Sequence, residues 1–203
     1  KLLPPQPCEN AFILDYIARR SLAKVKGGWS WKFDPRVFDE RDRRELETFV
    51  EFVFETPDCL RRSNLAGHLT ASAFVIDRKR KDILLIHHKK LGRWLQPGGH
   101  TDGDPDLMNV ARWEVFEETG LRELDPVLHG PFDLDIHPIP KREDIPAHLH
   151  YDVRFLFEAD GGFVPQGNDR EVHRAAWVPL SDLESLGVDE SVLRPARRLA
   201  KLP

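Results

Sequence analysis

Residues 97 to 121 read PGGHTDGDPDLMNVARWEVFEETGL, and this stretch decides the fold that the sequence predicts. Two glycines stand near its start, and three glutamates, Glu114, Glu117 and Glu118, precede its last glycine. On an α-helix, residues at i, i+3 and i+4 project from one face, so these carboxylates would crowd together within about one turn. An isolated triplet of this kind is a solvated face more often than a site. Beside glycines that let the backbone approach closely, the same carboxylates suit a hard divalent cation such as Mg²⁺.

The residues around the glutamates predict a helix from about Pro105 to Thr119. Pro105 suits a first helical turn, Asp104 can cap it, and Gly120 supplies the left-handed residue that often ends a helix. Alternating or continuous apolar residues predict strands on both sides of this helix. The predicted strands are residues 69–77, 82–88, 94–99, 126–136, 148–158 and 174–180. Near the carboxyl end, SDLESL and SVLRPARRLAKL predict helix, with Pro195 interrupting the second segment.

The secondary structure that the apolar pattern predicts changes near residue 65, from helix to mainly strand. Before that point, apolar residues recur at helical spacing in two segments, from Phe12 to Ile17 and from Leu46 to Phe54. Between them, GGWSWKFDP sets three aromatic residues at alternate positions, as a short strand or an irregular arm would. These aromatic side chains could pack internally, form a dimer contact or stack a base. We therefore expect an N-terminal helical extension over residues 1–64 and an α+β domain over residues 65–203.

Composition excludes several classes of protein. The 203 residues suffice for one substantial core, and no apolar run is long enough to cross a membrane. The net charge of -4 provides no basic footprint for nucleic acid. Cys8 and Cys59 form neither a disulfide framework nor a CxxC metal motif, and KLLPPQP is not a secretory signal. We therefore expect a soluble cytoplasmic protein that binds neither nucleic acid nor membrane.

The opening stretch resembles the signature of the Nudix hydrolases, which is a Gly, five residues, Glu, seven residues, then Arg-Glu-apolar-any-Glu-Glu-any-Gly-apolar. Setting Gly99 as the first glycine gives the matching residues Gly99, Glu114, Val115, Glu117, Glu118, Gly120 and Leu121. Pro105 and Trp113 stand where the family has Glu and Arg. The segments GHLTASA (67–73) and WLQPGGH (94–100) also resemble a bacterial subgroup of this family, a likeness that implies no particular substrate.

The resemblance, taken over residues 65 to 190, implies a Nudix-type α/β/α sandwich with a mixed sheet. It also implies a Mg²⁺-dependent hydrolase, with Mn²⁺ as the alternative ion. The implied reaction is attack of water on phosphorus, which cleaves a diphosphate bond in a nucleoside diphosphate linked to another moiety. A second interpretation is a weak or inactive nucleotide-binding or regulatory module of the same fold, because Pro105 and Trp113 replace signature residues.

Four glutamates are the catalytic residues that this interpretation predicts. The resemblance implies that Glu117 and Glu118 bind the metal directly, that Glu114 is a third ligand or an orienting group, and that the Gly99 carbonyl assists them. The motif does not fix the general base. Glu171, shortly before the predicted strand at 174–180, is our loop candidate, with Glu143 behind it.

Trp113 is the departure that bears most directly on the glutamates, since in the family the Arg at this position supports them by ion pairing. On a helix Trp113 lies about 40° from Glu117 when seen down the axis, whereas Arg112 lies about 140° away. Arg112 therefore cannot take the missing role. Trp113 could instead wall one side of the carboxylates and donate its N–H, or it could be an ordinary core residue.

Polar residues outside the motif give the candidate substrate contacts. The strand HLHYDVRF sends His148, His150, Asp152 and Arg154 to one face, which is either a cleft wall or an exposed surface. From this face we predict His150 and Asp152 as substrate-binding residues, and from HHKKLGRW we predict Lys89 and Arg93. His148 and His150 also form an HxH pair suited to a transition metal, although no third ligand at diagnostic spacing supports zinc. The extension over residues 1–64 is a candidate contact for a homodimer.

Overall fold

The structure, a computed structural model, describes residues 22–25, 28–31, 40–128, 130–142, 145–168 and 170–202. Its helices are α1 (Glu40–Glu55), α2 (Leu107–Thr119) and α3 (Glu190–Leu199), with a short 3₁₀ helix at Leu180–Asp182. Its strands are β1 (Leu22–Val25), β2 (Gly28–Trp31), β3 (Gly67–Asp77), β4 (Asp82–His88), β5 (Arg93–Leu95), β6 (Gly98–His100), β7 (Asp125–Pro126), β8 (Asp133–Ile139), β9 (His148–Ala159) and β10 (Val172–Pro179).

A mixed sheet forms the centre of the described part of the chain. Its main path runs β10-β4-β3-β9-β7, with β5 beside β4, β6 beside β3, and β8 beside β9. The β3 and β9 strands pair in parallel over their whole length, whereas the other recorded pairings are antiparallel. Every residue of β3 is buried, which explains why its sequence, GHLTASAFVID, is nearly free of charge.

Helices cover both faces of the sheet. The odd-numbered residues of β3, such as Leu69 and Ala71, share a core with α1 and α2. Phe74 and Ile76, which point the other way, share a second core with Val192 of α3. This alternation produces the α/β/α sandwich that the sequence predicts, because successive side chains of a strand point to opposite faces.

The predicted extension contributes at least one helix to the main core. The apolar stripe of α1 buries Leu46, Phe49 and Val53 in the same core as α2, although α1 precedes the predicted boundary at residue 65. Within the GGWSWKFDP segment, Gly28–Trp31 forms strand β2, which pairs antiparallel with β1. The predicted helix from Phe12 to Ile17, and Phe33 of the aromatic arm, lie outside the described residues.

Several predicted boundaries are wrong, and prolines explain two of the differences. The predicted strand 94–99 is two strands, β5 and β6, that flank Pro97, and 126–136 likewise divides into β7 and β8 around Pro131. Proline lacks the N–H that would continue a ladder. The α2 helix is capped by Asp106, whose side chain accepts from Asn109 N, rather than by Asp104. SDLESL forms only a 3₁₀ turn before Gly187, which has a φ of 72°.

Pro195 lies inside α3 without interrupting it, contrary to the prediction. A proline at this position cannot donate to the carbonyl of Ser191, one turn earlier. That carbonyl instead accepts a hydrogen bond from Arg154 Nη1 at 2.9 Å. The helix is therefore tied to the sheet at the place where its own ladder is incomplete. Among the described residues, no helix is long and apolar enough to cross a membrane.

Candidate metal and catalytic site

The glutamates of α2 meet the backbone of β6 at the two glycines that open the signature. Gly98 N donates a hydrogen bond to Glu118 Oε2 at 3.0 Å. A Cβ placed on Gly99 would lie 2.3 Å from Glu114 Oε1, so no residue with a side chain fits there without displacing that carboxylate. Gly99 thus leaves room for the Glu114 carboxylate of the helix, whereas a Cβ on Gly98 would collide with Ser72 of the neighbouring strand β3.

Burial makes the two inner carboxylates resist ionisation. Glu118 is 3% exposed, and burial raises its pKa to about 8, although the Gly98 N–H opposes the shift and Glu114 adds to it. The pKa of Glu114 is raised to about 7, first by burial and then by the charges of Glu117 and Glu171. Glu117 is exposed on the same helix. The positive charge of Arg62 opposes the shift at Glu114 only in part, and a divalent cation held by the carboxylate oxygens would supply the remaining compensation.

The raised pKa of Glu118 predicts how the metal-free protein responds to pH. Glu118 would ionise near its ordinary pKa of 4.5 in the unfolded chain and near 8 in the folded one. Between these values the unfolded chain binds fewer protons, so the free energy of unfolding falls as pH rises from about 4.5 to 8, by on the order of 5 kcal/mol. Glu118→Gln should remove this contribution to the pH dependence of the free energy of unfolding, when unfolding by urea is measured at several pH values in EDTA.

The matched control for this measurement is Glu123→Gln, which changes an exposed glutamate just beyond the same helix. In that variant the free energy of unfolding should change with pH as it does in the parent protein. Equal slopes for Glu118→Gln and the parent would show that Glu118 is not held protonated in the folded chain. Adding Mg²⁺ should restore stability at high pH in the parent and in Glu123→Gln, because metal binding favours the ionised carboxylates.

Glu171 lies close enough to the glutamates of α2 to influence them. Its charge is among the causes of the raised pKa of Glu114 and of Glu118. Its carbonyl accepts a hydrogen bond from Lys89 N at 2.8 Å, which joins the end of β4 to the loop before β10. The structure thus brings Glu171 and Lys89 to the same edge as the motif. Glu143, the second loop candidate, lies outside the described residues.

Arg62 is a member of the site that the sequence analysis missed. It forms a two-pronged ion pair with Asp102 of the glycine-rich turn, with Nε 2.5 Å from Oδ1. Its positive charge lowers the pKa of Glu114, against the stronger effect of burial. No sequence signal marks Arg62, because it stands in the short connection between α1 and β3 with neither periodicity nor a motif around it.

Trp113 lies at the surface of α2, and the interpretation that it walls one side of the carboxylates stays a prediction. Its side chain is 55% exposed, so the interpretation as a core residue is wrong. It lies beside Phe116, with the ring centroids 5.4 Å apart. Arg112 packs over the ring of Phe157 at 4.9 Å, which agrees with the prediction that it cannot take the missing Arg role. The helix therefore presents its glutamates without an arginine of its own beside them.

The four predicted substrate-binding residues do not lie together in one site. They are Lys89, Arg93, His150 and Asp152. Arg93 pairs with Asp189 at the start of α3, with Nη1 2.5 Å from Oδ2. His150 belongs to a group of histidine rings on the opposite face of the sheet from the glutamates, as described below. Of the four predicted contacts, Lys89 is the one that the structure brings next to Glu171.

Asp152 is engaged in the protein interior and does not line a cleft wall. It is 2% exposed and accepts hydrogen bonds from Thr70, Ser72 and Arg154 at 2.8 to 2.9 Å. Arg154 is 1% exposed and also binds Asp133 and Asp135. The polar face of β9 is therefore a buried ionic network at these positions. Neither a cleft wall nor a solvent-exposed face, the two possibilities drawn from the sequence, describes it.

Known proteins resemble this chain in sequence. Residues 67–199 match the family model of the NUDIX domain. Nudix hydrolase 6 of Arabidopsis thaliana is 26% identical over 147 residues, which are 68% of this chain and 48% of that protein. An RNA pyrophosphohydrolase of Mesorhizobium japonicum is 27% identical over 104 residues, which are 46% of this chain and 60% of that protein. The chain thus spans only about half of the length of these curated relatives.

A solved structure also shares the fold. A hydrolase of the NUDIX family from Clostridium perfringens superimposes with a TM-score of 0.51 at 20% sequence identity. The match covers 67% of this chain and 98% of that one. At this identity the likeness concerns the fold alone, and it confirms the predicted architecture.

Proposed function

The chain belongs to the Nudix family of hydrolases, and from this premise we propose that it is a Mg²⁺-dependent enzyme that cleaves a diphosphate bond in a nucleoside diphosphate linked to another moiety. One observation carries the proposal. The carboxylates of Glu114 and Glu118 pack against the backbone of Gly98 and Gly99, where burial opposes their ionisation. Burying clustered carboxylates costs folding free energy, which argues against a purely structural role, and their oxygens suit a cation site.

In this proposal Glu117 and Glu118 bind the metal, Glu114 is a further ligand or orients one, and the Gly99 carbonyl assists them. Mn²⁺ is the alternative ion. A bound divalent cation supplies charge neutralisation at the phosphate oxygens and a lower pKa for a bound water molecule. The buried position of Glu118 excludes bulk water from its side of the cluster, whereas Glu117 is exposed to solvent.

Glu171 is the proposed general base. It comes from a loop beside the glutamates, and its exposed carboxylate can accept a proton from an attacking water molecule. Arg62 and Lys89 are the proposed contacts for the phosphate charge of the substrate. In addition, Arg62 supplies next to Glu114 the positive charge that the family draws from the position of Trp113.

The alternative is a Nudix-fold module that binds a nucleotide without cleaving it. One observation favours this second candidate, since the exposed Trp113 gives the glutamates no ion-pair partner from their own helix. Both candidates share the nucleotide ligand, so binding alone does not separate them. Cytoplasmic location and a homodimer formed through residues 1–64 stay predictions.

A phosphate-release screen tests the proposed function. Diphosphate compounds are incubated with the protein and Mg²⁺, and a coupled phosphatase reports the products. The panel contains ADP-ribose, other nucleotide sugars, dinucleoside polyphosphates and noncanonical nucleoside triphosphates. It also contains an RNA, because one relative is named for that substrate, although the net charge of -4 predicts a small molecule.

We expect at least one compound of the panel to be hydrolysed with Mg²⁺ and none in EDTA. Release that persists in EDTA would contradict the metal site. If instead calorimetry detects a bound nucleotide while no compound is cleaved at any Mg²⁺ concentration, the chain is the binding module.

A further inference from the structure

Five histidines gather at one end of the sheet, on four neighbouring strands. They are His68 of β3, His100 of β6, His137 of β8, and His148 and His150 of β9. Register explains the gathering, because His68 and His137 are both direct partners of His150, and His100 is the partner of Thr70. The rings of His68, His148 and His150 lie with centroids 4.8 to 5.2 Å apart.

This group lies on the opposite face of the sheet from the catalytic glutamates. Leu69 and Tyr151, the neighbours of His68 and His150, both belong to the core that contains α2. Side chains alternate along a strand, so the two histidines point away from α2. A ligand of the histidines would therefore be separate from the cation of the glutamate site.

Backbone carbonyls fix the tautomers of two rings. His68 Nδ1 lies 3.2 Å from the carbonyl oxygen of Asn64, and His148 Nδ1 lies 2.9 Å from that of Pro146. A carbonyl only accepts, so each Nδ1 carries the hydrogen, and each Nε2 presents a lone pair when the ring is neutral. An Nδ1–H held by a carbonyl with a free Nε2 is the usual arrangement of a metal-binding histidine.

His68 Nε2 is the observation that points to a ligand. His68 is 2% exposed, and within the described part of the chain its Nε2 has no hydrogen-bond partner. A buried lone pair without a donor costs free energy, so native structures rarely leave one. The rings of His148 and His150, whose nitrogens are metal ligands as much as hydrogen-bond partners, lie beside that of His68.

The distances suit a transition metal. One ligand atom from each of His68, His148 and His150 lies within 4.8 Å of the others. The Nε2 atoms of His148 and His150 are 3.3 Å apart. Two imidazole nitrogens at 2.0 to 2.1 Å from one tetrahedral zinc ion would be separated by about 3.3 Å, so this pair already has the required spacing.

We propose that His68, His148 and His150 bind one divalent transition-metal ion, preferentially Zn²⁺, at a site separate from the glutamate cluster. Three imidazoles suit Zn²⁺ and related ions rather than Mg²⁺, and a tetrahedral ion completes its shell with water or a ligand oxygen. Burial, and after it the charges of the neighbouring histidines, lower the pKa of His150 to about 2, which supports a neutral ring at physiological pH. The HxH pair therefore gains its third ligand from a strand that is distant in sequence.

Zinc titration calorimetry tests this proposal on the full chain in excess Mg²⁺, which keeps the glutamate site occupied. The parent protein should bind one equivalent of Zn²⁺. His148→Ala should weaken zinc binding more than about 100-fold, the upper end of the loss seen when a group that merely supports a metal ligand is removed. His68→Gln, which keeps a polar group in the buried position, should do the same.

His173→Ala and Glu118→Gln are the controls. His173 is an exposed histidine outside the group, so its removal should leave zinc affinity unchanged, and Glu118→Gln should also retain one zinc equivalent. Zinc should raise the melting temperature of the parent protein but not that of His148→Ala. The melting transition of His148→Ala also shows that this variant is folded. Unchanged zinc affinity in folded His148→Ala, or loss of zinc from Glu118→Gln, would overturn the proposal.

Discussion

Glu118→Gln is expected to lower kcat/KM by about a thousandfold on any substrate that the chain hydrolyses. The substitution keeps an acceptor for Gly98 N, so the contact between α2 and β6 survives. It removes a negative charge from the proposed cation site. A bound metal supplies several kcal/mol of stabilisation to the transition state, and about 4 kcal/mol corresponds to three orders of magnitude in rate. Steady-state kinetics with Mg²⁺, together with calorimetry of Mg²⁺ binding, measures the effect.

Two further variants separate metal binding from proton transfer. Glu123→Gln changes an exposed glutamate outside the cluster and should leave kcat/KM unchanged. Glu171→Gln should bind Mg²⁺ as the parent does while losing about 100-fold or more in kcat, the usual contribution of a general base. It should also lose the acidic limb of the pH-rate profile. Full activity in Glu118→Gln would contradict the assignment of the glutamates, whatever happens to Glu171→Gln.

Local chemistry made the centre of this fold predictable. The spacing of Glu114, Glu117 and Glu118 requires a helix if they are to meet, and Gly120 ends that helix with a φ of 78° and an N–H bonded to Phe116 O. Gly99 has a steric reason that follows from the approach of the Glu114 carboxylate to the backbone of β6. These features depend on residues near one another in sequence, where turn chemistry and helical period are decisive.

Register between distant strands made the rest unpredictable. His68 and His150 meet because β3 and β9 pair in parallel, and nothing in either segment specifies that partner. Arg62 lies in a connection without a recognisable sequence pattern. It pairs with Asp102, and its charge acts on Glu114. A strand with alternating polar residues likewise has the same sequence pattern whether its polar face is exposed or covered. The polar residues of β9 could be placed on one face, but the contacts that Asp152 and Arg154 make there come from β3, β8 and α3, which are distant in sequence.

That buried face contains several charges that compensate one another. Arg154 donates to Asp133 at 3.0 Å, to Asp135 at 2.9 Å and to Asp152 at 2.8 Å. Arg194 and Arg198 of α3 also pair with Asp133. The surrounding aspartates raise the pKa of Arg154 against the effect of burial, so its guanidinium is charged at every accessible pH. Arg154 thus contacts β8 through two aspartates and α3 through the Ser191 carbonyl, and Arg194 and Arg198 add direct ion pairs between α3 and β8.

Arg154→Leu is therefore expected to lower the free energy of unfolding by about 3–5 kcal/mol, the typical cost of removing one partner from a buried ionic group. Leucine fills part of the volume but leaves Asp152 without its cationic partner. Urea unfolding measures the loss. The matched control is Arg78→Leu, which removes an exposed arginine paired with Asp125 and should cost less than about 1 kcal/mol.

The origin of that loss can be tested by removing the uncompensated charge. If Arg154→Leu is destabilising because Asp152 is left ionised in the interior, Asp152→Asn added to it should recover part of the stability. The amide can still accept from Thr70 and Ser72, which both donate to Asp152. A double variant no more stable than Arg154→Leu would assign the loss to packing. Equal losses in Arg154→Leu and Arg78→Leu would contradict any special role for the buried arginine in joining α3 to the sheet.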